Sequence, residues 1–157
     1  IAAVNGIARA GGIELLLACD LVVMSSEAKI GDHHLASGIP PGAGAGVRLQ
    51  RILGPIRARE FIFSARWMNA DEAFQSGVAS HVCAPDQIEV IIDQIVDNLS
   101  RTSRTALAAT KSALLQASPT RPGCKAELKV FLDFVTNDPD ASEGYRAWVE
   151  KRSPQWK

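Results

Sequence analysis

Gly11, Gly12 and Glu14, in the stretch Ala10-Gly-Gly-Ile-Glu-Leu15, have the types and spacing to do chemistry. Glycine lets a ligand approach the main chain closely, and the N–H groups at the start of a helix are free to face an anion. The two glycines are expected in a tight turn, with a helical run beginning after them. A carboxylate in an otherwise apolar run is costly to bury unless it is paired, hydrogen-bonded or used, so Glu14 points to proton transfer or to holding a water. A purely structural alternative is that Glu14 caps its own helix by accepting hydrogen bonds from loop amides. A second ionisable cluster is Asp32-His33-His34. A metal there would need further ligands at workable spacing, and none is evident.

The elements that must position these residues follow from the hydrophobic pattern. Ile1 to Val4 reads as a short strand closed by the turn Asn5-Gly6, which leads directly into the glycine loop. Ile13 to Ala18 is apolar nearly all round, as a short buried helix would be. Leu21 to Met24 reads as a buried strand, and a second extended piece, Ala28 to Gly31, leads into Asp32. Strand, helix and strand in that order predict a crossover with parallel neighbours. The punctuated loop Gly38 to Gly46 precedes a helix through Val47 to Leu53. It has neither GxGxxG directly after a strand nor GxxxxGK[ST], so close backbone packing or a pocket wall is a better reading than a phosphate cradle.

Further along, a helix runs from Pro55 to Ser64, and Asn69 with Glu72 forms a capping box. Gly77 stops that helix ahead of a strand at Val78 to Val82. Pro85 opens a long helix, and helical runs follow at about Ser103 to Ala117, Lys125 to Asn137 and Ser142 to Lys151. The first third is mixed α/β and the remainder mostly helix, which divides the chain into a core over 1–84 and a helical region over 85–157. His81 reads as a surface or strand-end residue.

Composition excludes some partners. The 157 residues carry 17 Lys and Arg against 17 Asp and Glu, so no global field draws in nucleic acid or an anionic membrane. Hydrophobic residues make up 46% and charged residues 22%, the balance of a folded domain. The longest apolar stretch, Ile13 to Met24, is too short to span a bilayer. Cys19, Cys83 and Cys124 are odd in number and widely spaced, which fits a reducing, cytoplasmic compartment. The chain opens without methionine in what reads as the middle of a buried strand, so a longer protein is expected.

The ordered set of motifs resembles the enoyl-CoA hydratase/isomerase, or crotonase, superfamily. The likeness runs through Ile1-Ala-Ala-Val-Asn-Gly6, Gly11-Gly-Ile-Glu-Leu15, Ala18-Cys-Asp20, Ala28-Lys-Ile-Gly31 and Gly38-Ile-Pro-Pro-Gly-Ala-Gly44. It continues through Arg48-Leu49, Gly54, Asn69-Ala-Asp-Glu-Ala73, Gly77-Val-Ala79, Val82 and Glu150-Lys-Arg-Ser-Pro154. It implies an α/β fold, part of a crotonase-like spiral of ββα repeats followed by C-terminal helices. On this reading the core holds the acyl-CoA site, and the helices build a homotrimer or a dimer of trimers and meet coenzyme A.

The resemblance also implies a coenzyme A thioester as substrate, with no cofactor beyond the coenzyme A it carries. The reaction would add water to an enoyl-CoA, or remove it, through an oxyanion-stabilised enolate. Gly11 matches the residue that supplies one backbone donor to the thioester oxygen, and such donors are worth roughly 3 to 4 kcal/mol each. The other donor is expected upstream of Ile1. Glu14 matches one of the two catalytic glutamates, and counting onward along the pattern puts His34 where the second stands. Histidine exchanges protons near neutral pH, so His34 is the candidate replacement, with Asp32 placed to orient it. His33 should point elsewhere. Lys125, Lys129 and Phe131 are candidates to meet coenzyme A, although a solvated helix face would look the same. Isomerase, decarboxylase and thioester hydrolase share the same oxyanion hole, and loss of the second glutamate also fits a degenerate acyl-CoA binder.

Overall fold

Val22, Val23 and Met24 are buried on both sides, as an unbroken apolar run requires. They form β3 (Val22–Ser25), the middle strand of a parallel sheet between β1 (Ala2–Val4) and β6 (His81–Cys83) in the computed structural model, which describes residues 1–116 and 120–156. A second sheet contains β2 (Ile7–Arg9), β4 (Lys29–Gly31) and β5 (Met68–Asn69), with β4 parallel to β2 and antiparallel to β5. The chain therefore places one strand in each sheet and then forms a helix. It does so first as β1-β2-α1 (Gly11–Ala18) and again as β3-β4-α2 (Ala45–Leu53), the second time through a 3-10 turn at Leu35–Ser37. These are two ββα repeats, and β1 lies parallel to β3 as the crossover argument predicts.

Helices α3 (Pro55–Ser64) and α4 (Ala70–Gln75) complete the core. Ile13 and Leu16 of α1 pack with Met24, Ile30, Leu49 and Phe61 in one buried cluster. The strands all fall within residues 2–83, and α5 (Ile88–Ser100), α6 (Arg104–Gln116), α7 (Thr120–Asn137) and α8 (Asp140–Val149) follow. The expected end of α6 at Ala117 lies outside the described residues. Helix α7 packs on α2, and α8 packs on the 3-10 turn, where a Cβ at Gly144 would overlap the Ser37 carbonyl. No described helix is long and apolar enough to cross a membrane, and the three cysteines are free.

Several elements differ from the sequence expectation. Gly11 and Gly12 are the first two residues of α1, and the bend ahead of it is taken by Ala10, at φ 50° and ψ −113°. Strands β2 and β5 have only three and two residues, too few for a periodic signal. β6 begins at His81 because the Val78 and Ala79 N–H groups both turn back to the Ala73 carbonyl and finish α4. Pro85 opens a 3-10 turn, Pro85–Gln87, ahead of α5. Helix α7 starts at Thr120, with Pro122 as its third residue, where the missing N–H has no intrahelical partner to lose. Helix α8 starts at Asp140 after Pro139, so Ser142 is inside it. Asn69 Oδ1 does accept the Glu72 N–H at 2.9 Å, but the Glu72 carboxylate turns to Arg66, leaving the box half formed.

Candidate active site

Glu14 is in the first turn of α1 and is 7% exposed. The buried neighbours Ile13 and Leu16 hold that turn against the core, so the carboxylate leaves the helix toward the loop ahead of α2. Its Oε1 accepts hydrogen bonds from the Ala43 N–H at 2.7 Å and the Gly42 N–H at 3.3 Å. The amides of the α2 loop therefore satisfy the charge that the α1 sequence left unexplained, and Oε2 remains to face something else.

What it faces is His34, whose Nε2 is 3.5 Å from Oε2. His34 is 5% exposed and precedes the 3-10 turn at the end of the segment that leaves β4. Asp32, fully buried, stands on the other side of the ring, with Oδ1 3.1 Å from Nδ1. That approach is off the line a ring N–H hydrogen bond prefers, and the same Oδ1 also accepts the His34 backbone N–H at 3.3 Å. Burial pushes the His34 pKa down, but Asp32, Glu14 and Glu127 together overcome it and hold the imidazole above its ordinary 6.5. A neutral ring would turn a lone pair toward one carboxylate; the protonated ring offers an N–H to both. The array Asp32, His34, Glu14 can hold a proton on His34 and pass it at Nε2.

His33 diverges from His34 because its backbone is left-handed, at φ 53°. Its ring lies on Trp67 with centroids 4.1 Å apart, and Lys29 Nζ sits over the Trp67 ring at 4.8 Å from its centroid. The two adjacent histidines thus cannot share one ligand at Asp32-His33-His34. His81 is exposed at the start of β6, with Nδ1 3.1 Å from Ser80 Oγ.

At the head of α1, the Ile13 and Glu14 N–H groups both reach the Ala10 carbonyl, at 3.1 and 3.3 Å. Those of Gly11 and Gly12 precede the first intrahelical bond, and a Cβ on Gly11 would meet no atom within 4 Å. The space over Gly11 is open and the donors are available there.

Sequence reasoning missed Glu127, which α7 brings to the same loop. Glu127 Oε1 accepts from the Gly44 N–H at 2.6 Å and Oε2 from the Val47 N–H at 2.9 Å. Phe131, one turn on, packs on Gly42, where a Cβ would stand 2.8 Å from the Phe131 Cβ. Lys125 and Lys129 are exposed on α7. Lys125 lines an open groove of about 930 Å³ with Arg48, Arg51 and Thr120. The available signal was the alternation Gly42, Gly44, Gly46, which marks close approach of another element, but it does not say which one.

Comparison with known proteins bears on the family and the fold. The family model described as enoyl-CoA hydratase/isomerase matches residues 1–157. A protein named "probable enoyl-CoA hydratase" from Mycobacterium leprae is 36% identical over 159 residues, covering 99% of this chain and 61% of that protein. A crotonyl-CoA hydratase from Syntrophomonas wolfei is 36% identical over 155 residues, covering 97% of this chain and 59% of its own length. The chain thus spans about three-fifths of these curated relatives. Among solved structures, an enoyl-CoA hydratase/isomerase from Pseudoalteromonas atlantica superposes with a TM-score of 0.89 at 23% identity, over 100% of this chain and 64% of that one, so the fold is shared.

Proposed function

Since the chain belongs to the enoyl-CoA hydratase/isomerase family, we propose that it catalyses acid–base chemistry on an acyl-CoA thioester, with hydration of an enoyl-CoA, or the reverse, as the reaction. The observation that carries this is the buried pair Glu14 Oε2 and His34 Nε2, 3.5 Å apart, beside the open head of α1. In the hydration direction Glu14 Oε2 takes a proton from water as the water oxygen bonds to the β-carbon. The electron pair of the double bond moves toward the thioester, and the Gly11 N–H meets the oxygen that becomes enolate-like. His34 then gives its Nε2 proton to the α-carbon. His34 stands in for the second carboxylic acid, and Asp32 is the positioning residue that keeps the ring charged. Lys125 and Lys129 are assigned to the phosphates of coenzyme A. Phe131 acts there by shaping the Gly42 loop. The exposed Leu128, Val130 and Leu132 of α7 support association with further copies as a homotrimer or dimer of trimers.

The test is turnover of a short enoyl-CoA by the full-length protein. Glu14→Gln should abolish hydration while leaving thioester binding intact, and His34→Gln should lower turnover about 10²- to 10⁴-fold, as loss of a general acid does. Full rates in either variant overturn the assignment. The two loop amides on Glu14 Oε1 favour one second reading, a degenerate acyl-CoA binder in which Glu14 serves structure alone. Measurable turnover that disappears in His34→Ala excludes it.

A further inference from the structure

The Gly42 to Val47 loop is held between two carboxylates that come from opposite ends of the chain. Glu14 of α1 takes the Gly42 and Ala43 N–H groups on one side, and Glu127 of α7 takes those of Gly44 and Val47 on the other. Three glycines make this fit possible. A Cβ at Gly42 would collide with Phe131, one at Gly44 would stand 2.8 Å from Cys124 Sγ, and one at Gly46 would stand 2.8 Å from Glu127 Oε2. Cys124, Glu127 and Phe131 recur at helical spacing on one face of α7, so the glycine alternation of the loop and this face of the helix fit one another.

From this geometry we infer that Glu127 is a positioning residue for the Glu14–His34 pair: it fixes the loop whose amides aim Glu14. The inference rests on the proposed acid–base role of that pair. A carboxylate at a helix start is well placed energetically in any case, since it meets unsatisfied N–H groups and the positive end of the helix dipole. What goes beyond capping is that neighbouring amides of the same loop hold the reacting carboxylate. A shift of Gly44 and Val47 therefore moves Gly42 and Ala43, and Glu14 with them. Misplacement of a reacting group by about 1 Å costs up to ~10²-fold in rate.

Glu127 also acts on His34 through space. The charged groups facing the imidazole are Asp32 from its own segment, Glu14 from α1 and Glu127 from α7, and all three favour its protonated form. This gives a readout that does not depend on turnover. In the full-length protein, NMR of histidine-labelled samples should follow the imidazoles, with the His34 signal assigned by its loss in His34→Gln.

Glu127→Gln should move the His34 midpoint to lower pH and reduce kcat about 10-fold with little change in KM. Glu127→Asp keeps the charge but is too short to reach both Gly44 and Val47. It should leave the His34 midpoint near that of the wild type while still lowering kcat. An unchanged His34 midpoint in Glu127→Gln, or an unchanged kcat in both variants with only the unfolding midpoint lowered, would show a helix cap and nothing more. If the wild-type protein turns over no enoyl-CoA, the proposed reaction fails, and the His34 midpoints still decide the place of Glu127.

Discussion

Helices α1 and α2 both have glycines at their starts, and neither has a side-chain cap from its own N-cap residue. The amides around the two helix starts have different fates. At α2, the amides of Gly42, Ala43, Gly44 and Val47 are all taken by the carboxylates of Glu14 and Glu127. At α1, the Gly11 and Gly12 amides have no acceptor among the described residues, and the space above Gly11 is open. Both starts are marked by glycines in the sequence, so what separates the occupied amides from the open ones is the acid brought to them from elsewhere. Amides already held by carboxylates cannot receive a ligand anion; those without an acceptor can. Glu14 connects the two, because it belongs to the first turn of α1 and holds the amides of the loop that leads into α2.

The most severe way to break this arrangement is Glu14→Ala. It orphans the Gly42 and Ala43 amides and leaves His34 between Asp32 and a void, and removal of one partner from a buried pair costs about 3–5 kcal/mol. Denaturant unfolding at neutral pH should show that loss. A midpoint equal to that of the wild type would mean that the α2 loop does not depend on α1. A smaller cost is expected from Gly42→Ala, whose new Cβ must push Phe131 and α7 away from the loop, at about 1–3 kcal/mol for overpacking. The same unfolding experiment checks it, and unaltered stability would show that α7 is not seated on the glycines.

Much of this was legible in the sequence, and the parts that were not have a common cause. Glu14 declared itself because a carboxylate between Ile13 and Leu15 needs an explanation, whereas His34 is reached only through the family resemblance, by counting along its pattern, with Asp32 two residues before it. The parallel pairing of β1 with β3 followed from strand, helix and strand in order. Ala10 in the left-handed region was not foreseen, because the two glycines after it looked like the natural place for the turn. β5, two residues long, exists only because β4 lies beside it. Glu127 is far along the chain from Gly44 and Val47, in a helix whose lysines looked more informative. No local pattern reports a contact that tertiary packing alone creates, and the glycine alternation recorded only that something comes close.

The comparison also has a dependence on pH. Because the folded pKa of His34 is raised above its ordinary 6.5, the array's contribution to stability is fully present below that value and is lost as pH rises through the folded value. The stability difference between wild type and His34→Gln should therefore be largest near pH 6 and shrink toward higher pH. A difference that grows with pH would mean that the buried imidazole is held neutral, and that Asp32 and Glu14 do not govern it.

The smallest effect is also the sharpest test of the open head. Gly11 is helical, without a positive φ, and a Cβ there touches nothing, so Gly11→Ala should stabilise the fold by up to about 1 kcal/mol through the better helix propensity of alanine. At α2 the same kind of substitution, Gly42→Ala, has the opposite sign. If a thioester oxygen approaches the Gly11 amide, the added methyl stands in its path, and kcat/KM should fall while the unfolding midpoint rises. Stability gained together with activity lost cannot come from damage to the scaffold, so that combination would assign the open space over α1 to substrate. Unchanged kcat/KM in the stabilised variant would take the substrate away from Gly11 and leave both helix heads structural.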